Sequence, residues 1–195
     1  MSNRLHRRAV VAKLLADRND LLVVSGLGAP TYDCAAVGDH ALNFYLWGAM
    51  GQAAIIGLGL ATAQPSRPVL VITGDGEMLM GLGALATIAV RKPANLAVVV
   101  LDNERYGETG NQATHTADGV DLAGIAKAAG FPLTWRVEDD ASLATVLPLL
   151  RAGRGPVFAA IKISDAPDPM VLPPRDGTYI KHRFRDALLG PNAVS

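Results

Sequence analysis

The chain has 195 residues and a mass of 20.4 kDa; half its residues are hydrophobic, 18% are charged, and the formal net charge is zero. Balanced charge gives no footprint for nucleic acid, and a single cysteine, Cys34, excludes a disulfide framework or an iron–sulfur cluster. No run reaches transmembrane length and no apolar signal core adjoins the basic cluster Arg4-Leu5-His6-Arg7-Arg8, so the expectation is a cytoplasmic chain, with no membrane contact, whose cluster is a solvated helix end.

Taken in order, residues 4–18 carry apolar positions at helical spacing. Leu21 to Val24 is a fully apolar run, as in a buried strand, and Ser25-Gly26-Leu27-Gly28-Ala29-Pro30 reads as a glycine-rich turn. Leu42 to Tyr45 is a short strand. Gly48-Ala49-Met50-Gly51 opens a helix from Gln52 to Ala63 that contains Gly57 and Gly59. Glycine costs about 1 kcal/mol in a helix relative to alanine, so two of them imply close packing. A strand at Val69 to Thr73 follows, then a helix from Leu79 to Val90 ended by Arg91-Lys92-Pro93, then a strand at Leu96 to Leu101. Beyond lie a helix from Leu122 to Ala129, a strand at Thr134 to Val137, a helix from Ala141 to Ala152 and a strand at Val157 to Ile163. A proline-rich tail from Ala166 leads to a last helix near Ile180 to Leu189. Strands alternate with helices throughout residues 1–195, with no linker and no internal repeat. The expectation is one α/β domain, a doubly wound parallel sheet with helices on both faces.

In such sheets ligands sit beyond the carboxyl ends of the strands. Asp75, in Gly74-Asp75-Gly76, ends one strand; Asn103, 28 residues on, ends the next. A carboxylate and an amide oxygen are hard donors suited to Mg²⁺ or Ca²⁺. Glycines let the backbone approach an anion, and the amides of a helix start favour phosphate. Either pair alone is a common turn; both at this spacing point to a metal-bridged diphosphate.

GDG followed by Asp102-Asn103 resembles the signature of thiamine-diphosphate enzymes, which have Asn-Asn at the second position; here Asp102 replaces the first Asn. The resemblance covers almost the whole chain and implies the diphosphate-binding (PP-type) fold. It implies that Asp75, Asn103 and the backbone carbonyl of Arg105 bind Mg²⁺. It places Gly74, Gly76, Glu77, Tyr106 and Gly107 along the diphosphate of the cofactor, thiamine diphosphate, with Gly28 and Ala29 near it. Gly48-Ala49-Met50-Gly51 is similar to the segment whose bulky residue wedges the cofactor into its bent form; Met50 takes that part, and the Gly48 carbonyl accepts from the pyrimidine amino group.

The family's site needs a second, pyrimidine-binding domain that supplies an activating glutamate. Glu77, Glu104, Glu108 and Glu138 are the glutamates present, and none is a convincing activator. The resemblance therefore implies a beta subunit whose alpha partner carries the pyrimidine domain, in a hetero-oligomer of two copies of each or larger. Residues 101–115, with Tyr106-Gly107 and Thr109-Gly110-Asn111-Gln112-Ala113-Thr114-His115, resemble the sulfopyruvate decarboxylase beta subunits and phosphonopyruvate decarboxylases, with Glu108 in place of the usual Ser. That implies a lyase releasing CO₂ from a small 2-oxo acid. Thr109, Asn111, Gln112 and Thr114 offer neutral hydrogen bonds to an anionic substrate, and His115 is the candidate catalytic titratable group; an ordinary polar loop is the plain reading. An acetolactate synthase-like carboligase, an oxidoreductase subunit and a non-catalytic nucleotide-binding subunit are the alternatives.

Overall fold

The computed structural model describes residues 4–190. Its elements are α1 (Arg7–Leu15), β1 (Leu22–Ser25), α2 (Ala29–Ala36), β2 (Asn43–Tyr45), α3 (Ala53–Ala63), β3 (Val69–Gly74), α4 (Asp75–Met80), α5 (Gly83–Arg91), β4 (Leu96–Asp102), β5 (Arg105–Tyr106), β6 (Gln112–Ala113), α6 (Leu122–Ala129), β7 (Leu133–Val137), α7 (Asp140–Val146), β8 (Val157–Lys162) and α8 (Gly177–Leu189). Short 3-10 turns lie at His115–Asp118 and Leu149–Arg151.

Six strands form one parallel sheet in the order β2-β1-β3-β4-β8-β7. The apolar runs are continuous because both faces are covered. Val69, Val71, Val98, Val100 and Phe158 point into one core, with α3, α5 and α6. Leu70, Ile72, Val99, Ala159 and Ile161 point into the other, with α1 and α7. The sheet is thus the doubly wound α/β arrangement expected. Among the described residues no helix is long and apolar enough to cross a membrane.

Several boundaries differ from the sequence reading, each for a local reason. The first helix is shorter, Arg7–Leu15. The glycine-rich turn leads directly into α2, whose first turn holds Pro30, a residue preorganised for that place. The helix assigned from Ala141 stops at Val146, before Pro148, which cannot donate the next helical hydrogen bond. The last helix begins at Gly177, where the Asp176 carboxylate accepts from the Thr178 and Tyr179 amides at 2.8 and 3.2 Å. Of the two glycines in α3, a side chain at Gly57 would meet Val71, whereas Gly59 faces open space, so only Gly57 reflects close packing.

The helix expected from Leu79 to Val90 is two helices. It starts at Asp75 and breaks between Met80 and Gly83. At the break the loop before α3 crosses the helix backbone against backbone. A Cβ on Gly81 would lie 2.0 Å from the Gly51 carbonyl oxygen, and Gly51 itself has φ +83°. This contact fixes the loop carrying Met50 against the helix carrying Asp75. Gly81→Ala is therefore expected to destabilise the chain by about 1–3 kcal/mol, the usual cost of overpacking. A urea unfolding midpoint equal to wild type would show that the two backbones are free to part.

Candidate active site

The β1-to-β2 connection and the step from β1 to β3 leave β1 in opposite directions across the sheet, which opens a crevice at the strands' carboxyl ends. A cavity of about 330 Å³ lies there. Its walls come from α2 (Ala29), the loop before α3 (Met50), the end of β3 and start of α4 (Gly74 to Glu77), and the segment after β4 (Asn103, and Arg105 to Thr109). The parallel register sets Gly74 beside Leu101, so the ends of β3 and β4 bring Asp75 and Asn103 to the same opening.

Asp75 opens α4 and is 1% exposed. Its place in the first turn suits a negative charge. Its Oδ2 accepts from the Thr114 hydroxyl at 2.5 Å, and the Thr116 hydroxyl lies 3.3 Å away. Burial pushes the Asp75 carboxyl up to about 6, helped by the nearby charge of Asp102 and opposed by the two threonines. Asp102 is buried too, and accepts from Thr116 at 2.8 Å while pairing with Lys162 at 2.7 Å. Lys162 also meets Glu104 at 2.8 Å. Burial alone would lower the Lys162 pKa, but its two carboxylate partners raise it.

Beyond β4 the chain turns sharply. The Asn103 side-chain oxygen accepts from the Arg105 amide at 3.0 Å, and the Asp102 carboxylate accepts from the Glu104 amide at 3.1 Å. Arg105 and Tyr106 then pair with Ala113 and Gln112 in a small antiparallel hairpin. The Tyr106 ring lies against Gly76, where any side chain would collide at 2.6 Å. Helix start and hairpin are thus packed face to face around the opening.

Of the residues singled out from sequence, Ala29, Met50, Gly74, Asp75, Gly76, Glu77, Asn103, Arg105, Tyr106, Gly107 and Thr109 all line this cavity. Gly28 caps the start of α2 under Glu108, just behind the lining. Gly48 is exposed on the loop before Met50. Asn111, Gln112 and His115 are exposed and outside the lining. Gln112 instead folds back on its own hairpin, within 3.3 Å of Thr109 Oγ1. Thr114, read as part of a substrate-facing loop, is turned inward onto Asp75. Glu77 lies along the inner wall, where its carboxylate accepts from Thr73 at 2.7 Å. Burial raises its pKa, against that hydroxyl and the backbone amides of Ala53, Gly51 and Leu27.

The basic cluster near the N-terminus is not a solvated helix end. Arg7 bridges Asp33 and Asp168, each at 3.1 Å. Arg8 meets Asp33 at 3.1 Å and the Pro169 carbonyl at 2.8 Å, and Arg4 meets Glu104 at 2.8 Å. Asp33 is wholly buried, a state an ionised carboxylate sustains only with partners. Burial raises its pKa, and Arg7 and Arg8 oppose that. Through these pairs the N-terminal segment holds the proline-rich tail across the crevice, so that Arg7, Pro167, Asp168 and Met170 complete the cavity wall. Trp47 fastens the tail again, donating to the Pro174 carbonyl at 2.8 Å. Sequence reasoning missed these wall residues. The one signal was the pairing of a basic cluster with acids far along the chain, which spacing does not reveal.

Two guanidiniums and four carboxylates line the cavity. Among the described residues no group of three or more His, Cys, Asp or Glu side chains is placed to hold a metal. A cation here would draw on one carboxylate, one amide oxygen and a backbone carbonyl, a donor set for a hard ion such as Mg²⁺.

The raised Asp75 pKa has a consequence for stability. A carboxyl whose folded pKa lies above its unfolded value binds more protons when folded. Its favourable contribution is full below about 4 and is lost as pH rises through about 6. The metal-free chain should thus lose on the order of 3 kcal/mol from this group across that window, an upper figure. Asp75→Asn should flatten the fall, raising the metal-free melting temperature at pH 7 but not at pH 4. Parallel pH profiles of the two proteins would contradict this.

Comparison with known proteins identifies the family of the chain. A family model described as "Thiamine pyrophosphate enzyme, C-terminal TPP binding domain" matches residues 26–161. The chain is 37% identical over 180 residues to the sulfopyruvate decarboxylase subunit beta of Methanothermobacter thermautotrophicus, covering 92% of this chain and 94% of that one. It is 36% identical over 189 residues to the phosphonopyruvate decarboxylase of Streptomyces viridochromogenes, covering 96% of this chain but 47% of that enzyme, so it spans about half of it. Among solved structures, the benzoylformate decarboxylase of Polynucleobacter necessarius superposes with a TM-score of 0.71 at 20% identity, over 85% of this chain and 34% of that one, which speaks to the fold alone. Fold, family model and full-length relatives converge, and the chain belongs to the thiamine pyrophosphate enzymes, matching their C-terminal cofactor-binding domain.

Proposed function

We propose that this chain is the beta subunit of a split thiamine-diphosphate-dependent 2-oxo acid decarboxylase acting on sulfopyruvate or a phosphonopyruvate-like substrate. The observation that carries the reading is the convergence of Asp75, Asn103, Arg105, Tyr106, Gly76 and Met50 on one cavity at the switch point of the sheet. The full-length likeness to a sulfopyruvate decarboxylase subunit beta supports the substrate class and the division into subunits. Residues 1–195 then form one PP-type domain.

The residues suit the cofactor. The lining carries more carboxylates than guanidiniums, so a polyanionic diphosphate needs a cation to enter. Asp75 is costly as a bare buried anion, and a divalent ion would offset that cost. Mg²⁺ would be held by Asp75, Asn103 and the Arg105 carbonyl, with Gly74, Gly76, Tyr106 and Gly107 along the diphosphate and Gly28 and Ala29 behind it. When bound, thiamine diphosphate supplies the electron sink that lets a 2-oxo acid lose CO₂. Met50 would wedge it into its bent form, and the Gly48 carbonyl would accept from its pyrimidine amino group.

Among the chain's own groups, Thr109 can donate to an anionic substrate at the rim. Met50, Tyr106 and Met170 add apolar and aromatic surface to the cavity wall, which restricts water in it. Asn111, Gln112 and His115, exposed on the hairpin and the turn after it, reach substrate only across the subunit boundary. The activating glutamate comes from an alpha subunit with the pyrimidine-binding domain, which makes the active assembly a hetero-oligomer.

The test is CO₂ release from sulfopyruvate, phosphonopyruvate and pyruvate, with Mg²⁺ and thiamine diphosphate, by the chain alone and mixed with its alpha partner. Activity is expected only in the mixture, greatest on a substrate with a sulfonate or phosphonate, and abolished by Asp75→Ala. Release from none of the three by a mixture that binds the cofactor would move the function to carboligation or oxidation.

A further inference from the structure

Thr114 and Thr116 contact neither cofactor nor substrate in the reading above, yet they are buried behind Asp75, 1% and 5% exposed. Their hydroxyls are 2.9 Å apart. Thr114 donates to Asp75 Oδ2 at 2.5 Å, and Thr116 lies 3.3 Å from the same oxygen. Thr116 also reaches Asp102 Oδ1 at 2.8 Å, and the opposite oxygen of Asp102 pairs with Lys162 at 2.7 Å. Asp102 and Lys162 are register partners on β4 and β8. A chain of polar contacts thus runs from the neighbouring strands, through two hydroxyls, to one oxygen of Asp75.

We infer that Thr114 and Thr116 are positioning residues that orient the Asp75 carboxylate for a divalent cation. This rests on the reading of Asp75 as a metal ligand. The terminal torsion of an aspartate is soft, so an unsupported carboxylate samples many planes. The Thr114 proton on Oδ2 fixes the plane and leaves Oδ1 to the cation, and Thr116, whose single proton goes to Asp102, packs against the Thr114 hydroxyl and holds it in place. Threonine suits the task because its branched side chain is stiff at χ1. It also supports the anion without a positive charge that would compete with a metal. The ammonium of Lys162 is held a step away, where it neutralises Asp102. That arrangement accounts for the departure from the family's Asn-Asn pair: a second buried carboxylate beside Asp75 is sustained because Lys162 and Thr116 satisfy it.

The experiment is a titration of the full chain with Mn²⁺ in the presence of thiamine diphosphate, with free Mn²⁺ followed by electron paramagnetic resonance. Wild type, Asp75→Asn, Thr114→Val, Thr114→Ser and Thr116→Val are compared, each with a circular dichroism melt. Asp75→Asn should abolish the site. Thr114→Val should weaken Mn²⁺ affinity roughly 10- to 100-fold, the usual range for groups that orient a metal ligand. Thr114→Ser, which keeps the hydroxyl, should restore it. Wild-type affinity in Thr114→Val, with the site lost in Asp75→Asn, overturns the positioning role and leaves the metal site standing. If Thr114→Val does not fold, wild-type affinity in Thr116→Val has the same force. No Mn²⁺ site in the wild type, or one untouched by Asp75→Asn, overturns the metal reading itself and this inference with it.

Discussion

The buried carboxylate of Asp75 is the constraint around which the site is organised. The end of β3 carries it to the carboxyl edge of a sheet covered on both faces, where water cannot solvate it. A buried anion needs hydrogen-bond donors or a cation, or it stays protonated. The chain supplies the hydroxyl of Thr114, backed by that of Thr116. Both lie beyond the hairpin of β5 and β6, so holding the carboxylate also holds the hairpin that brings Tyr106 against Gly76. The electrostatic need of one side chain and the packing of the cavity wall are met by the same fold of the chain.

A second set of charges closes the site from outside. Arg4, Arg7 and Arg8 lie close together in sequence, but their partners lie at Asp33, Glu104 and Asp168. Surface ion pairs contribute little singly; these meet at a wholly buried carboxylate and two half-shielded ones, where loss of one partner strands a charge. They tie the N-terminal segment, the turn after β4 and the proline-rich tail into one rim. The tail is therefore part of the cavity and not a trailing segment.

Sequence and structure agree best where the physics is local. The alternation of apolar runs with helical segments, the Pro93 stop after α5 and the glycine ends of helices such as α6 need only neighbours a few residues away. The same holds for Asp75 and Asn103, because strand ends of a parallel sheet face one crevice. Local rules failed where a distant backbone intervened. The break between α4 and α5 comes from Gly51 pressing on Gly81, and no periodicity within the helix announces it. Asn111, Gln112 and His115 adjoin Thr109 in sequence but lie outside the cavity lining, because Asn111 and Gln112 stand on an exposed two-stranded hairpin and His115 on the 3-10 turn after it.

The sequence by itself determined the α/β class, the family and the residues at the ends of β3 and β4. Apolar period, turn chemistry and the GDG to Asp-Asn spacing are properties of contiguous segments. Only the tertiary structure decided which side chains complete the site: Thr114 and Thr116 behind Asp75, Lys162 behind Asp102, and Arg7 with the tail across the opening. Each of these joins segments far apart in the chain, and a charge or hydroxyl carries no mark of its partner until folding brings the two within bonding distance.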